Sequence, residues 1–162
     1  MPRSLVKPAV ALTISPVIRL DGDPILYTPL DHFSGDVSAL AAWMLSQLDS
    51  LSAIGLAANQ VGISQRFFVH QLGDLPPVVI NPRVIHQSST LILGEEGCLS
   101  IPAHPYLVAR PKSITLEYST LSSPTIRQDT LTDYPARVFL HEIDHLNGRT
   151  IKQRSKDAAA PY

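Results

Sequence analysis

The sequence predicts an α+β fold: short, mainly antiparallel sheets packed around a C-terminal helix that carries an H-E-x-x-H motif, with an amphipathic helix nearer the N-terminus. Three observations predict it. Five β-type runs follow one another between residues 66 and 131 with no helical pattern among them, as expected of strands that pair antiparallel. A helical apolar stripe precedes these runs, and start and stop signals for a second helix follow them. Fourteen prolines in 162 residues favour short strands and many loops over a helical bundle.

The first helix is expected over Asp36 to Leu51. Val37, Leu40, Ala41, Met44, Leu45 and Leu48 recur at helical spacing, with Ser34 or Asp36 placed to cap the start. A small-residue segment, Ser52 to Gly62, leads into the strand runs Arg66–Leu72, Pro77–Ile80, Val84–Gln87, Ser113–Tyr118 and Thr125–Leu131, each bounded by Gly, Pro, Asn or Ser. The second helix should begin near Asp133 or Tyr134. Pro135 suits its first turn, where the missing N–H costs nothing, and Gly148 is placed to end it after Asn147. Residues 149–162 show little apolar periodicity and read as a disordered tail. No internal repeat or interdomain linker appears, so residues 1–162 are expected to form a single domain.

Thirteen Lys plus Arg against fourteen Asp plus Glu give a net charge of −1. A nucleic-acid wrapper or a polybasic membrane binder needs a positive field that this balance lacks. One cysteine excludes an internal disulfide and suits a thiol-reducing compartment. The early apolar stretch Ala9 to Leu20 is broken by Thr13, Ser15, Pro16 and Arg19. It reads as an irregular arm rather than an export or membrane signal, and a cytoplasmic location is expected.

The strongest chemical signal is His141-Glu142-Ile143-Asp144-His145. Two histidines four apart on a helix project from one face and can share a metal ion, while the adjacent glutamate is placed to take a proton from the attacking water. A catalytic metal of this kind wants three protein ligands and an open position. No glutamate follows His145, and Ile151 stands where an extended motif would place a third histidine, so both familiar protease patterns lack a ligand. Cys98, in Gly94-Glu95-Glu96-Gly97-Cys98-Leu99-Ser100, is the replacement, because a thiolate ligates readily. Two other readings of Cys98 stand beside ligation: an inert buried residue, the commonest fate of a free cysteine, and a nucleophile, which would leave the histidine pair and Glu142 unexplained.

Three segments together resemble the peptide deformylases. Gly55-Leu56-Ala57-Ala58-Asn59-Gln60, Glu96-Gly97-Cys98-Leu99-Ser100 and His141-Glu142-Ile143-Asp144-His145 look like that family's three motifs, in its order. The resemblance implies hydrolytic removal of the N-formyl group from the N-terminal methionine of nascent bacterial or organellar polypeptides. By it, Cys98, His141 and His145 bind one divalent metal, with ferrous iron first and zinc, nickel or cobalt able to substitute. Glu142 becomes the general acid and base, and the Gln60 amide and Leu99 N–H become the oxyanion donors. Gly55, Glu96 and Gly97 would meet the substrate peptide, with Ile54 and Val138 at the methionine pocket beside Arg137 and Tyr134. The partners implied are N-formyl-Met nascent peptides and, transiently, the ribosome, with no membrane and no direct nucleic acid.

Two positions depart from the pattern. Ala53 stands where the family usually has glycine, and Leu140 where it usually has glutamine. They keep open a related N-acyl amide hydrolase of altered substrate. A catalytically silent metal-binding module is the other alternative, disfavoured by the intact Glu142.

Overall fold

The structure, a computed structural model, describes residues 17–162; the part of the expected N-terminal arm before Val17 lies outside them. A five-stranded antiparallel sheet has the order β1-β2-β3-β6-β7, built from β1 (Gly55–Ala57), β2 (Phe67–His70), β3 (Val78–Gln87), β6 (Ser113–Thr120) and β7 (Ser123–Thr132). A separate hairpin pairs β4 (Leu91–Cys98) with β5 (Ile101–Pro111). Three α-helices, α1 (Ser38–Leu51), α2 (Asp133–Leu146) and the short α3 (Ile151–Arg154), and two single-turn 3-10 helices, Pro24–Tyr27 and Ala58–Val61, complete the described chain.

The sheet is covered by α1 on one face and α2 on the other, and strand alternation explains how. All four β2 residues are buried. Phe68 packs with Phe139, Leu140 and Ile143 of α2, whereas Phe67 and Val69 pack with Met44 and Leu48 of α1. Successive side chains point to opposite faces, so a strand sandwiched between two helices must be apolar throughout. Leu56 and Ala57 of β1, and Val78 and Val79 of β3, divide between the same two clusters.

Both expected helices form within two residues of their anticipated starts. Asp36 Oδ1 accepts the Ser38 N–H at 2.8 Å, which supports the predicted start of α1. Gly148 ends α2 with φ +71, and a Cβ there would lie 2.8 Å from the Pro29 nitrogen, so only glycine fits. The runs at 77–80 and 84–87 are one strand, β3, whose register slips between Ile80 and Arg83. Pro82 cannot donate to the ladder there, and Asn81, at φ 51, bridges instead to Phe33 through both side-chain atoms.

Three differences from expectation stand out. Strand β1 and the β4–β5 hairpin were not anticipated: β1 is three residues long, and glycines and prolines break up the apolar stretches 91–93 and 106–109 of the hairpin. Residues 149–162 are ordered rather than a loose tail: α3 forms, Arg154 is fully buried, and Ala160 is buried too. Arg154 finds a buried carboxylate in Asp144 (2.5 Å), a pairing that sequence periodicity does not record. Among the described residues, no helix is long and apolar enough to cross a membrane.

Candidate active site

The hairpin end of β4, the turn after β1 and the middle of α2 meet at a cleft of about 650 Å³. Ile54, Gly55, Gln60, Gly97, Cys98, Leu99, Val138, His141 and Glu142 all line it, while His145 lies behind, 1% exposed. The sequence-predicted residues, drawn from three segments of the chain, therefore converge.

Helical spacing carries His141 and His145 on one face of α2, with ring centroids 5.1 Å apart. Cys98 ends β4 opposite them, and its Sγ is 3.3 Å from His145 Nε2. One ligand atom from each of Cys98, His141 and His145 falls within 4.8 Å of the others. Burial pushes the Cys98 thiol up, but the His145 and His141 imidazoles outweigh it and bring it down to about 5, which makes it a thiolate at neutral pH. Burial alone would lower His141, yet its bonds to Cys98 and Glu96 raise it well above 6.5. The centre thus favours positive charge.

These residues fit a divalent cation on two further grounds. His141 Nδ1 donates to Glu96 Oε2 at 3.0 Å, so Nε2 is the nitrogen that ligates a cation once it gives up its proton, the usual arrangement behind a ligating histidine. The donor set of one thiolate and two imidazoles suits zinc, ferrous iron, cobalt or nickel.

Glu96, expected to meet substrate, lines the cleft, and its carboxylate is held by neighbouring side chains. Arg110 holds both oxygens (2.9 and 2.8 Å), Arg137 donates to Oε1 at 2.7 Å, and His141 takes the rest. Burial pushes Glu96 up, but these partners, led by Arg110 and His141, hold it well below the usual carboxylate range. Arg137 also donates to Val108 O and Ile92 O, tying α2 to both strands of the hairpin.

Glu142 is 3% exposed, and its Oε2 has no partner among the described residues. Burial raises its pKa against the pull of His141 and His145. Its other oxygen lies against the β1 backbone: a Cβ on Gly55 would stand 2.6 Å from Glu142 Oε1, so a larger residue at 55 would displace the carboxylate. Gln60 is fixed at both ends of its amide. Its Oε1 accepts the Ala57 N–H at 3.0 Å, and Nε2 donates to Ser100 Oγ at 3.2 Å and lies 3.6 Å from Cys98 Sγ.

The two departures have physical outcomes. The positive-φ non-glycine residues among those described are Ser52, Asn81 and Asp133, so Ala53 occupies ordinary backbone without strain. Leu140 is fully buried in the apolar core beside Phe139 and Ile143 rather than facing the cleft. Arg110, Asp144 and Asn59 belong to the site's support and were not foreseen. Asp144 could have been suspected, because three residues after His141 it shares that helix side.

A buried carboxylate beside a thiolate and a helix-borne histidine pair defines a mononuclear metallohydrolase type of site. Residues 16–160 match the family model for polypeptide deformylase. The chain belongs to the polypeptide deformylase family. It is 40% identical over 144 residues to the peptide deformylase of Thermotoga neapolitana, covering 87% of each chain. The crystal structure of the Thermotoga maritima peptide deformylase superposes with a TM-score of 0.81 at 38% identity, over 85% of this chain and 95% of that one. A class I type b peptide deformylase of Acinetobacter baumannii, solved with Met-Ala-Ser bound, gives 0.79 at 29% identity, over 88% and 99%.

Proposed function

We propose that this chain hydrolyses the N-terminal formamide of N-formylmethionyl peptides and releases formate, using one divalent cation held by Cys98, His141 and His145. The observation that carries the reading is Glu142 Oε2, buried and unpartnered beside that cluster. An orphaned buried carboxylate oxygen costs free energy, and a catalytic role explains why that cost is kept.

When bound, the cation supplies Lewis acidity and lowers the pKa of water at its open position. Glu142 Oε2 takes the proton of the attacking water and later returns it to the departing amine. Burial raises its pKa, which brings the base closer to the pH at which it works. Gln60 Nε2, its direction fixed by the Ala57 N–H on Oε1, donates to the carbonyl oxygen as negative charge develops there, together with the Leu99 N–H. Strand β1 is an edge of the large sheet, so Gly55 keeps a free backbone side on which an extended peptide can add as a strand. Ile54, Val138 and Tyr134, all on the cleft wall, take the methionine side chain, and Gly97 passes the peptide on its exposed strand.

Ferrous iron is the proposed native metal, nascent chains emerging from the ribosome the substrates, and the bacterial cytoplasm the place. The experiment is formate release from an N-formylmethionyl tripeptide by anaerobically purified protein, with metal content measured in parallel. Turnover with about one iron per chain is expected. A fully metallated protein that releases no formate would refute the reading, and activity on another N-acyl group would place it with the related amide hydrolases.

A further inference from the structure

Behind the cleft, six polar side chains run without a break from His141 to Tyr162. Glu96 holds His141 Nδ1, and Arg110 holds both Glu96 oxygens. The remaining Arg110 nitrogen, Nη1, reaches Asp144 Oδ2 at 2.5 Å. Arg154 grips the same carboxylate through Nε to Oδ2 (2.9 Å) and Nη2 to Oδ1 (2.5 Å). Tyr162 covers the far end. Its ring centroid is 4.0 Å from the Arg154 guanidinium carbon, and its hydroxyl accepts from Arg110 Nη1 at 3.2 Å. Arg154 Nη1 donates to Ala160 O at 2.5 Å, which folds residues 155–162 back over the network. Glu96, Arg110, Asp144 and Arg154 are all at most 7% exposed.

We infer that Tyr162 is a positioning residue for His141, acting through Arg154, Asp144, Arg110 and Glu96. The inference rests on the proposal that His141 is a metal ligand. A guanidinium is a rigid planar fork, so Arg110 can hold the Glu96 carboxylate in one place only while Asp144 holds Arg110 in turn. The Tyr162 ring keeps water from the Asp144–Arg154 pair, and in that low-dielectric setting each link stays short and strong. Without the ring, water reaches Asp144, its hold on Arg110 slackens, and Glu96 fixes the His141 ring less tightly. A purely structural lid would lower the melting temperature and leave the imidazole undisturbed.

The test uses the full chain loaded with cobalt, comparing the parent with Tyr162→Ala, Tyr162→Leu and Tyr162→Phe. The readouts are the visible cobalt spectrum, the rate of cobalt loss to a chelator, and kcat and KM separately. Loss of a group directly behind a ligating histidine costs about 10–100-fold. Four pairings further out along that path, Tyr162→Ala should lose cobalt about 3–10-fold faster, with a shifted spectrum, a lower kcat and an unchanged KM. Tyr162→Leu should behave similarly, and it serves if the alanine variant fails to fold. Tyr162→Phe keeps the ring and should restore the parent's values. A parent-like spectrum, cobalt-loss rate and kcat in both Tyr162→Ala and Tyr162→Leu would overturn the inference, whatever their melting temperatures. If the parent itself releases no formate, the deformylase reading fails while the cobalt readouts still decide this one.

Discussion

His141 and His145 lie one turn apart on the same helix and face the same sulfur, yet they are held by different means. The His141 ring is aimed through Nδ1 by Glu96, itself gripped by Arg110 and Arg137. The His145 ring has no such partner: its Nδ1 is buried and unbonded among the described residues. It is held through its backbone, where Asn59 Nδ2 donates to His145 O at 2.6 Å, and by the packing of α2. One imidazole is thus oriented by charge and the other by the fit of a helix against a polar turn. Asn59 adjoins Gln60, so the same amide also couples the proposed oxyanion donor to α2. Disturbing each side should have distinct consequences.

The largest effect should come from the atom both sides share. Cys98→Ser replaces a thiolate by a neutral hydroxyl and is expected to cut metal retention and activity by more than about 100-fold, beyond the range of supporting residues; dialysis followed by metal analysis checks it. Glu142→Gln removes the base between the two histidines but no ligand. Its kcat should fall by about 10²–10⁴-fold with metal content unchanged, as formate assay and metal analysis on one preparation would show.

The next pair separates the two sides. Glu96→Gln should weaken metal binding or activity by about 10–100-fold, because the acceptor behind His141 loses its charge. Asn59→Ala should instead act mainly on stability, costing about 0.5–1.5 kcal/mol for the lost hydrogen bond, since the His145 carbonyl keeps the Gly148 N–H as a donor, as a urea titration would measure. Equal metal-binding losses in both variants would erase the distinction.

Acid supplies the smallest and most selective effect. Glu96 sits well below its ordinary value of 4.5 in the folded chain. A depressed carboxylate contributes stability that is fully present above about pH 4.5 and is lost as pH falls toward the folded value. Urea midpoints of the parent should therefore drop between pH 5 and pH 3 more steeply than those of Glu96→Gln, in which that group no longer titrates. Parallel slopes would show that the charge on Glu96 adds nothing to the His141 side.

Much of this arrangement could be read from the sequence. Pro135 and Gly148 frame α2, the H-E-x-x-H spacing sets both histidines on one face, and β-type runs bounded by turn residues mark β2, β3, β6 and β7. The β4–β5 hairpin could not be read in the same way. Gly94, Gly97, Pro102 and Pro105 interrupt it, and most of its residues are exposed, so no alternation of buried and exposed residues betrays it. The support of the site was equally silent. Glu96 meets Arg110 across 14 residues and His141 across 45, and Arg110 meets Asp144 across 34. Pairings made by folding at such separations leave no periodic trace, which is also why 149–162 resembled a solvated tail when Arg154 was in fact bound for Asp144.

X-ray absorption at the metal edge of anaerobically purified protein tests the convergence of Cys98, His141 and His145 most directly. With zinc loaded, one sulfur at about 2.3 Å and two nitrogens at about 2.0–2.1 Å are expected, the sulfur vanishing in Cys98→Ser. A first shell of nitrogen and oxygen alone in the parent, unaltered by that substitution, would contradict the shared site.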